Sequence, residues 1–368
     1  MKITWLTNWD EIQDSTFCHL WQTMLDHWET PHVFFTRELC QAWLETYRPI
    51  RALSPRFLLL EDGDAKLLWP LVIWRQNWRN AFRRTMIAVG HSDFDYAEPI
   101  VLGDRNHLLN QAFAAIQTRQ KEWDTVAING LTGECGIGTP ETDFCPFCRL
   151  EAFQSGEDFL QKSKKSLRED IRRQRNRCMA KGQLSFATAT PVEAQQELPN
   201  FLHEHRAHWP NAYKAPNFHA NLLKFGLPST IVRFDMLKID SLTIAWHLGF
   251  HYRKRFYYYM PAANQQWLAY SPNKLLLFEL VSRAIAENDQ IFDHLRGAEN
   301  YKRGWTSEIL NLWHVAERNR QNFTAIMRNS LHDCRLAIEK WCHPMGGVIP
   351  DRFFCTFSLP PFRLMEVA

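Results

Sequence analysis

No run of this 368-residue chain is long and apolar enough to cross a bilayer. The longest strongly apolar stretch, residues 67–74, is interrupted by Pro70. The opening Met1-Lys2-Ile3-Thr4-Trp5 lacks a signal peptide's apolar core, and Asp10 and Glu11 follow early. A soluble, cytoplasmic protein with no membrane span is expected. An excess of one charge is also missing. Lys and Arg number 43 against 40 Asp and Glu, and a net +3 is too small to imply a partner. There is no Ser/His/Asp order typical of hydrolases and no Gly-x-Ser-x-Gly elbow. A Walker A loop, a Rossmann glycine fingerprint and His-Glu-x-x-His are absent too, which removes the corresponding nucleotide and metalloprotease chemistries. The nine cysteines are odd in number and form no regular framework, as in a reducing compartment. Cys145-Pro-Phe-Cys148, with Cys135 upstream, reads as part of a Gly/Pro/Thr-rich connection without a fourth ligand at metal spacing. No metal is expected.

What is present is apolar and aromatic. The chain is 45% hydrophobic, which supports full cores, and its length allows two domains of ordinary size. Its 15 Trp and 25 Phe supply rings for clefts as well as for the core.

The most informative stretch is 231–305. Three strands are predicted, at 231–239, 242–251 and 255–261, with turns at Asp240-Ser241 and 252–254. A loop to Ser271 leads into a helix with Pro272 at its first position and Ser271 as its cap. Leu275, Leu276, Leu277, Leu280, Val281 and Ile285 form its apolar face, and Asn288 is its stop. A short strand, 291–295, then delivers Arg296, Glu299, Tyr301 and Lys302. A helix start suits phosphate because its N–H groups are free and its dipole is positive there. Beside acid–base residues, it suggests group transfer from a phosphorylated carrier.

The order hairpin, strand, loop, helix, strand occurs twice, at 57–129 and at 231–296, with little identity between the copies. Two similar α/β units follow. Before the first copy, residues 9–29 and 34–47 read as helices. Residues 130–158 read as a link. Residues 159–181 read as a basic helix with nine Lys or Arg against Glu169 and Asp170. Such a run is a solvated face or a phosphate handle, and Arg168 and Arg172 share one side of it. His203, His205 and His208 lie on a helix at 199–208, where only the last two could chelate together. A strand at 310–315, a helix at 322–341 and an irregular tail at 346–368 close the chain.

Trp246-His247-Leu248-Gly249-Phe250, residues 257–261, Tyr270-Ser271-Pro272 and Phe292-Asp293-x-Leu295-Arg296-Gly297-x-Glu299-x-Tyr301-Lys302 resemble the GNAT-type acyltransferases grouped with the cellulose-biosynthesis CelD proteins. The segment 164–177 resembles the opening of that domain. One departure is Asn273, where the family usually has glycine. The resemblance implies tandem GNAT-like domains, as in the Fem peptidoglycan aminoacyltransferases, each with a mixed, mostly antiparallel sheet flanked by helices. The divisions expected are 1–150, with a degenerate carrier site, 151–345 as the acyltransferase domain, and the tail.

The implied reaction is N-acyl transfer from acyl-CoA to an amino group of a sugar or other polysaccharide precursor. The backbone at Tyr258 and Met260 would meet the pantetheine arm. Ser271, Asn273 and Lys274 would seat the pyrophosphate. Glu299 is the candidate base and Tyr301 the acid for the thiolate. Lys302 and Arg296 would hold charge, and the resemblance adds His247 to the site. Tyr259, Arg168, Asp95 and Tyr96 are further substrate candidates, and the resemblance adds His205 and Trp209. Polysaccharide-biosynthesis proteins are the associated partners. A Fem-like use of aminoacyl-tRNA is the one route to a nucleic-acid partner, and a non-catalytic scaffold is the alternative outside enzymes.

Overall fold

The computed structural model describes residues 1–134, 136, 138–210 and 215–342. The chain opens with strand β1 (Lys2–Leu6), then helices α1 (Trp9–Gln13) and α2 (Ser15–His27). The single helix expected over 9–29 is broken because Asp14 leaves helical geometry, and its carboxylate caps Thr16 and Phe17 N–H. A 3₁₀ turn, Val33–Phe35, precedes α3 (Arg37–Tyr47). Strands β2 (Ala52–Pro55), β3 (Phe57–Asp62), β4 (Ala65–Trp69) and β5 (Leu71–Arg75) follow. The run 66–75 was expected as one strand. Pro70 cannot donate to a ladder, and there the chain leaves a four-stranded sheet, which holds β1, β3 and β4, for an eleven-stranded one. Next come β6 (Arg84–Ala88), β7 (Ile100–Leu102), α4 (Arg105–Thr118), β8 (Thr125–Leu131) and β9 (Thr139–Arg149).

Much of the expected 130–158 link is therefore a strand. Cys145 and Cys148 stand three apart on β9 and face different cores, so they cannot act as a pair. The rest is α5 (Gly156–Lys162), α6 (Lys165–Met179), β10 (Leu184–Thr188), α7 (Pro191–His208) and α8 (Phe218–Gly226). Then come β11 (Val232–Ile239), β12 (Leu242–Tyr252), β13 (Arg255–Ala263), α9 (Pro272–Ala286), β14 (Ile291–Asp293), β15 (Glu308–Arg318) and α10 (Phe323–Cys342). Sequence patterning had not picked out β10 or α8. The irregular tail expected at 346–368 lies outside the described residues.

The large sheet runs β10-β11-β12-β13-β14-β9-β15-β8-β6-β5-β2. Its two parallel pairs are β6 with β8 and β13 with β14. The chain between them carries α4 in one case and α9 in the other, as the architectural repeat requires. The halves also exchange strands. β9 follows β8 in sequence but pairs with β14, and β15 follows β14 but pairs with β8. β9 and β15 pair with each other at the centre. Backbone hydrogen bonding thus crosses the division expected at residue 150.

Two apolar cores lie against this scaffold. One joins both halves through residues such as Trp43, Trp69, Phe218, Phe250 and Tyr257. The other packs the α9 leucines and Phe159, Ile171, Phe292 and Trp305 around Tyr258. Tyr257 and Tyr258 therefore face opposite ways, as strand alternation demands.

Candidate active site

β13 and β14 run parallel and then part. Their pairing ends at Tyr257 with Asp293, while β13 continues to Ala263. The fork leaves residues 258–263 without a β14 partner. Pro261 sits in that run, where a missing N–H costs nothing, as expected of a position facing away from a neighbouring strand. After Asp293 the chain turns aside at once. Leu295 is left-handed (φ 56°), and its N–H bonds to Asp293 Oδ1 at 2.8 Å.

On its other side β13 carries a bulge against β12, between Leu248 and Phe250. Gly249 is required there, since a Cβ would lie 2.7 Å from the Tyr257 carbonyl oxygen. His247 fills the irregularity. Its Nε2 accepts Tyr259 N–H at 3.2 Å, and its Nδ1 lies 3.7 Å from Asp235 Oδ2. The ring is fully buried and stacks on Tyr258 at 4.6 Å. Burial lowers its pKa, against the pull of Asp235. Burial opposes ionisation of Asp235, yet the His247 ring and the Arg283 guanidinium outweigh it and hold that carboxyl at about 2. The Nε2 lone pair is taken by the sheet, so His247 has none left to accept a substrate proton.

The far end of the fork leads to α9. Ser271 is left-handed (φ 52°) and makes no side-chain cap, contrary to expectation; its carbonyl accepts Lys274 N–H at 3.0 Å. The equivalent helix of the first half, α4, is closed by Asp104, whose carboxylate accepts Asn106 and His107 N–H. Asn273 Oδ1 is buried with no hydrogen-bond partner among the described residues. Lys274 Nζ pairs with Asp170 of α6. α6 runs along this side: Lys164 at its cap donates to the Arg303 carbonyl at 3.3 Å, and Arg177 near its end donates to the Ala269 carbonyl at 2.9 Å. From Lys164 to Asp170 is about 9 Å of helix. The start of α9 and the 299–303 loop thus flank one helix on the same side of the fold.

Residues 165–303 match the acetyltransferase (GNAT) domain. This segment is an acyltransferase domain. It opens on α6 and closes on the 299–303 loop, so it contains both arms of the fork. No curated protein matches the chain. Among solved structures, FemX covers 90% of this chain and 100% of its own at 8% identity, with a TM-score of 0.59. A conserved protein of unknown function from Bacteroides thetaiotaomicron covers 86% and 100% at 11% identity, with a TM-score of 0.54. At such identities the likeness is one of fold. The fold is mixed α/β, with GNAT-like sheets flanked by helices in tandem.

Within the GNAT domain the 299–302 residues meet. Lys302 is buried, and its Nζ donates to the Leu295 and Arg296 carbonyls at 3.2 and 2.8 Å. It also lies 3.0 Å from Glu299 Oε2. Two donated hydrogen bonds and this ion pair hold the loop. Glu299 folds back over Gly297, whose positive φ (126°) leaves room where a Cβ would strike the carboxylate. Tyr301 is exposed, and desolvation of its hydroxyl and the Glu299 charge both raise its pKa. Burial and the nearby Tyr301 likewise raise Tyr258. Met260 is buried, its sulfur 3.2 Å from His219 Nε2.

The remaining expected residues lie elsewhere. Arg296 pairs with Glu141 and lies 3.8 Å from Asp95 Oδ1, tying the GNAT domain to β9 and the first half. Tyr96 is buried and donates to Asp293 Oδ2 at 2.7 Å, which also takes Arg255 at 2.7 Å. Tyr259 donates to the Asp93 carbonyl at 2.7 Å. Arg168 donates to the Gln161 carbonyl at 2.8 Å. His205 is buried against Phe201, and Trp209 is exposed at the end of α7.

The one cluster of metal-ligand types among the described residues is His251, Glu287 and Asp289. Arg233 donates into it, to Glu287 and to His251 Nδ1, and a guanidinium takes the place a cation would need. No helix among the described residues is long and apolar enough to cross a membrane.

Sequence reasoning missed Asp170, Asp235, Glu141 and His294. Of these, His294 left a trace. It is a polar residue two places after buried Phe292, on the same face of an apolar strand.

Proposed function

We propose that this protein transfers an acyl group from acyl-CoA to an amino group, with a sugar or other polysaccharide precursor as acceptor. The observation that carries the donor is the fork between β13 and β14, which opens beside the uncapped start of α9. An extended arm would run along the unpaired edge at 258–263, where Tyr258 and Met260 lie. A diphosphate fits at Ser271, Asn273 and Lys274. The acceptor class and an association with polysaccharide assembly rest on the CelD-type resemblance. Asp95, Tyr96, Tyr259, Arg296, His205 and Trp209 would shape the acceptor side, with the first half as its wall. Arg168 would meet the carrier's outer phosphate.

In the reaction, the amine nitrogen bonds to the thioester carbonyl carbon and the C–S bond breaks. Glu299 takes the amine proton. Tyr301, kept protonated by its raised pKa, gives a proton to the leaving thiolate. Lys302 positions Glu299.

The Fem-like use of aminoacyl-tRNA draws less support from α6, because its Arg172 and Arg173 already pair with Glu157 and Asp170.

Calorimetric titration with CoA and acetyl-CoA tests the donor. Wild type binds, and Lys274→Glu, which sets a carboxylate against Asp170, binds at least about tenfold more weakly. No binding by wild type at millimolar CoA removes this reading. With glucosamine as acceptor, Glu299→Gln and Tyr301→Phe each lower kcat by about a hundredfold and leave CoA affinity unchanged.

A further inference from the structure

His294 stands at the crotch of the fork, one residue beyond the last β13–β14 pair. It is 1% exposed, and neither ring nitrogen has a hydrogen-bond partner among the described residues. Buried polar side chains are nearly always satisfied, and an imidazole orphaned at both nitrogens points to something the free protein does not supply. The residue is firmly held. Its backbone N–H donates to the Pro146 carbonyl at 2.9 Å, and the Asp293–Leu295 bond fixes the turn around it. Its ring lies 5.1 Å from Phe292 and edge-on to Tyr258 at 6.2 Å. It therefore faces the α9 side, the side on which the carrier would lie. Burial and the Lys302 charge hold its pKa near 3, so the ring is neutral. A neutral imidazole has one donor and one acceptor. The N–H and C=O of a single trans amide point opposite ways, so two successive amides of an extended arm would supply the matching oxygen and N–H.

We propose that His294 binds the carrier's extended arm, one ring nitrogen donating to the oxygen of one amide and the other accepting the N–H of the next. This rests on acyl-CoA as the donor and adds a specific contact to that reading. It makes His294 a selector for carriers with an amide-bearing arm over bare nucleotides.

The test is titration of CoA and of ADP, which lacks the arm, into wild type, His294→Phe and His294→Asn, with thermal melts of each free protein. The expected result has three parts. His294→Phe binds CoA about tenfold more weakly and ADP as wild type does. His294→Asn, which keeps a donor and an acceptor, retains more CoA affinity than the Phe variant. The free Phe variant melts no lower than wild type, because the side chain it replaces has no partner to lose. The proposal is overturned if His294→Phe binds CoA like wild type, or loses CoA and ADP alike. If wild type binds ADP but gains nothing from the arm, the contact fails while the nucleotide seat stands. If wild type binds neither, acyl-CoA fails as donor and the contact goes with it.

Discussion

Single residues in this protein are often ionisable groups held in one state by burial. His32 is buried, accepts Phe34 N–H at Nδ1 and lies 2.9 Å from the Glu98 carbonyl, and burial lowers its pKa to about 3. His294 is lowered as far. Both are neutral when folded and take up a proton when unfolded, near 6.5. Their contribution is complete above that pH and declines as pH falls toward about 3. Each removes about 1.4 kcal/mol of stability per pH unit below 6.5. Asp235 works lower. Its folded pKa of about 2 lies below the unfolded 3.8, so its contribution is present above 3.8 and is lost as pH falls from there through 2. Urea denaturation from pH 7 to 3 will show the decline beginning near 6.5, and His294→Phe will flatten it. Lys302 belongs to the same scale. Four residues within seven positions from Arg296 onward read as reactive groups, yet the buried one, Lys302, ties the loop together.

Among elements, α4 and α9 make the sharpest comparison. They occupy equivalent places in the two halves, and their starts differ. Asp104 fills one and nothing from Ser271's side chain fills the other. Asp104→Ala should cost about 1 kcal/mol of stability, read from the denaturation midpoint, and leave CoA binding untouched. Much of the element order is legible in the sequence. The α9 helix, its Pro272 start and the left-handed Asn288 after it follow from local chemistry. So do the reversals at Asp240 and at Arg253-Lys254, all three with positive φ. Strand β9 was not legible, because its Pro, Thr and Cys look like linker until β14 and β15 pair with it on either side. β10 and α8 were hidden in the same way, being short and placed by contact with β11 and α3.

At the scale of the molecule, the exchange of β9 and β15 binds the halves. Neither half has a complete sheet without a strand from the other. Arg296–Glu141 and Tyr96–Asp293 add buried polar ties across the same seam. We expect the whole chain to unfold in one cooperative transition by calorimetry, and fragments 1–150 and 151–368 to fold only when mixed. Two separate transitions would contradict the exchange.

By itself, the sequence determined the local events: which strongly patterned runs become helix or strand, where they turn, and that an α/β unit occurs twice. Its motifs also marked the second unit as the acyltransferase half. These are consequences of side-chain spacing and backbone preference within a few neighbours. Tertiary structure alone decided which polar residues are engaged and which are left open. His247 and Lys302 are consumed by backbone groups from neighbouring segments, and Arg296 by carboxylates distant in sequence. His294 is left with none among the described residues. Whether a buried group finds a partner depends on which strands meet, and that is set by long-range pairing the linear order does not carry.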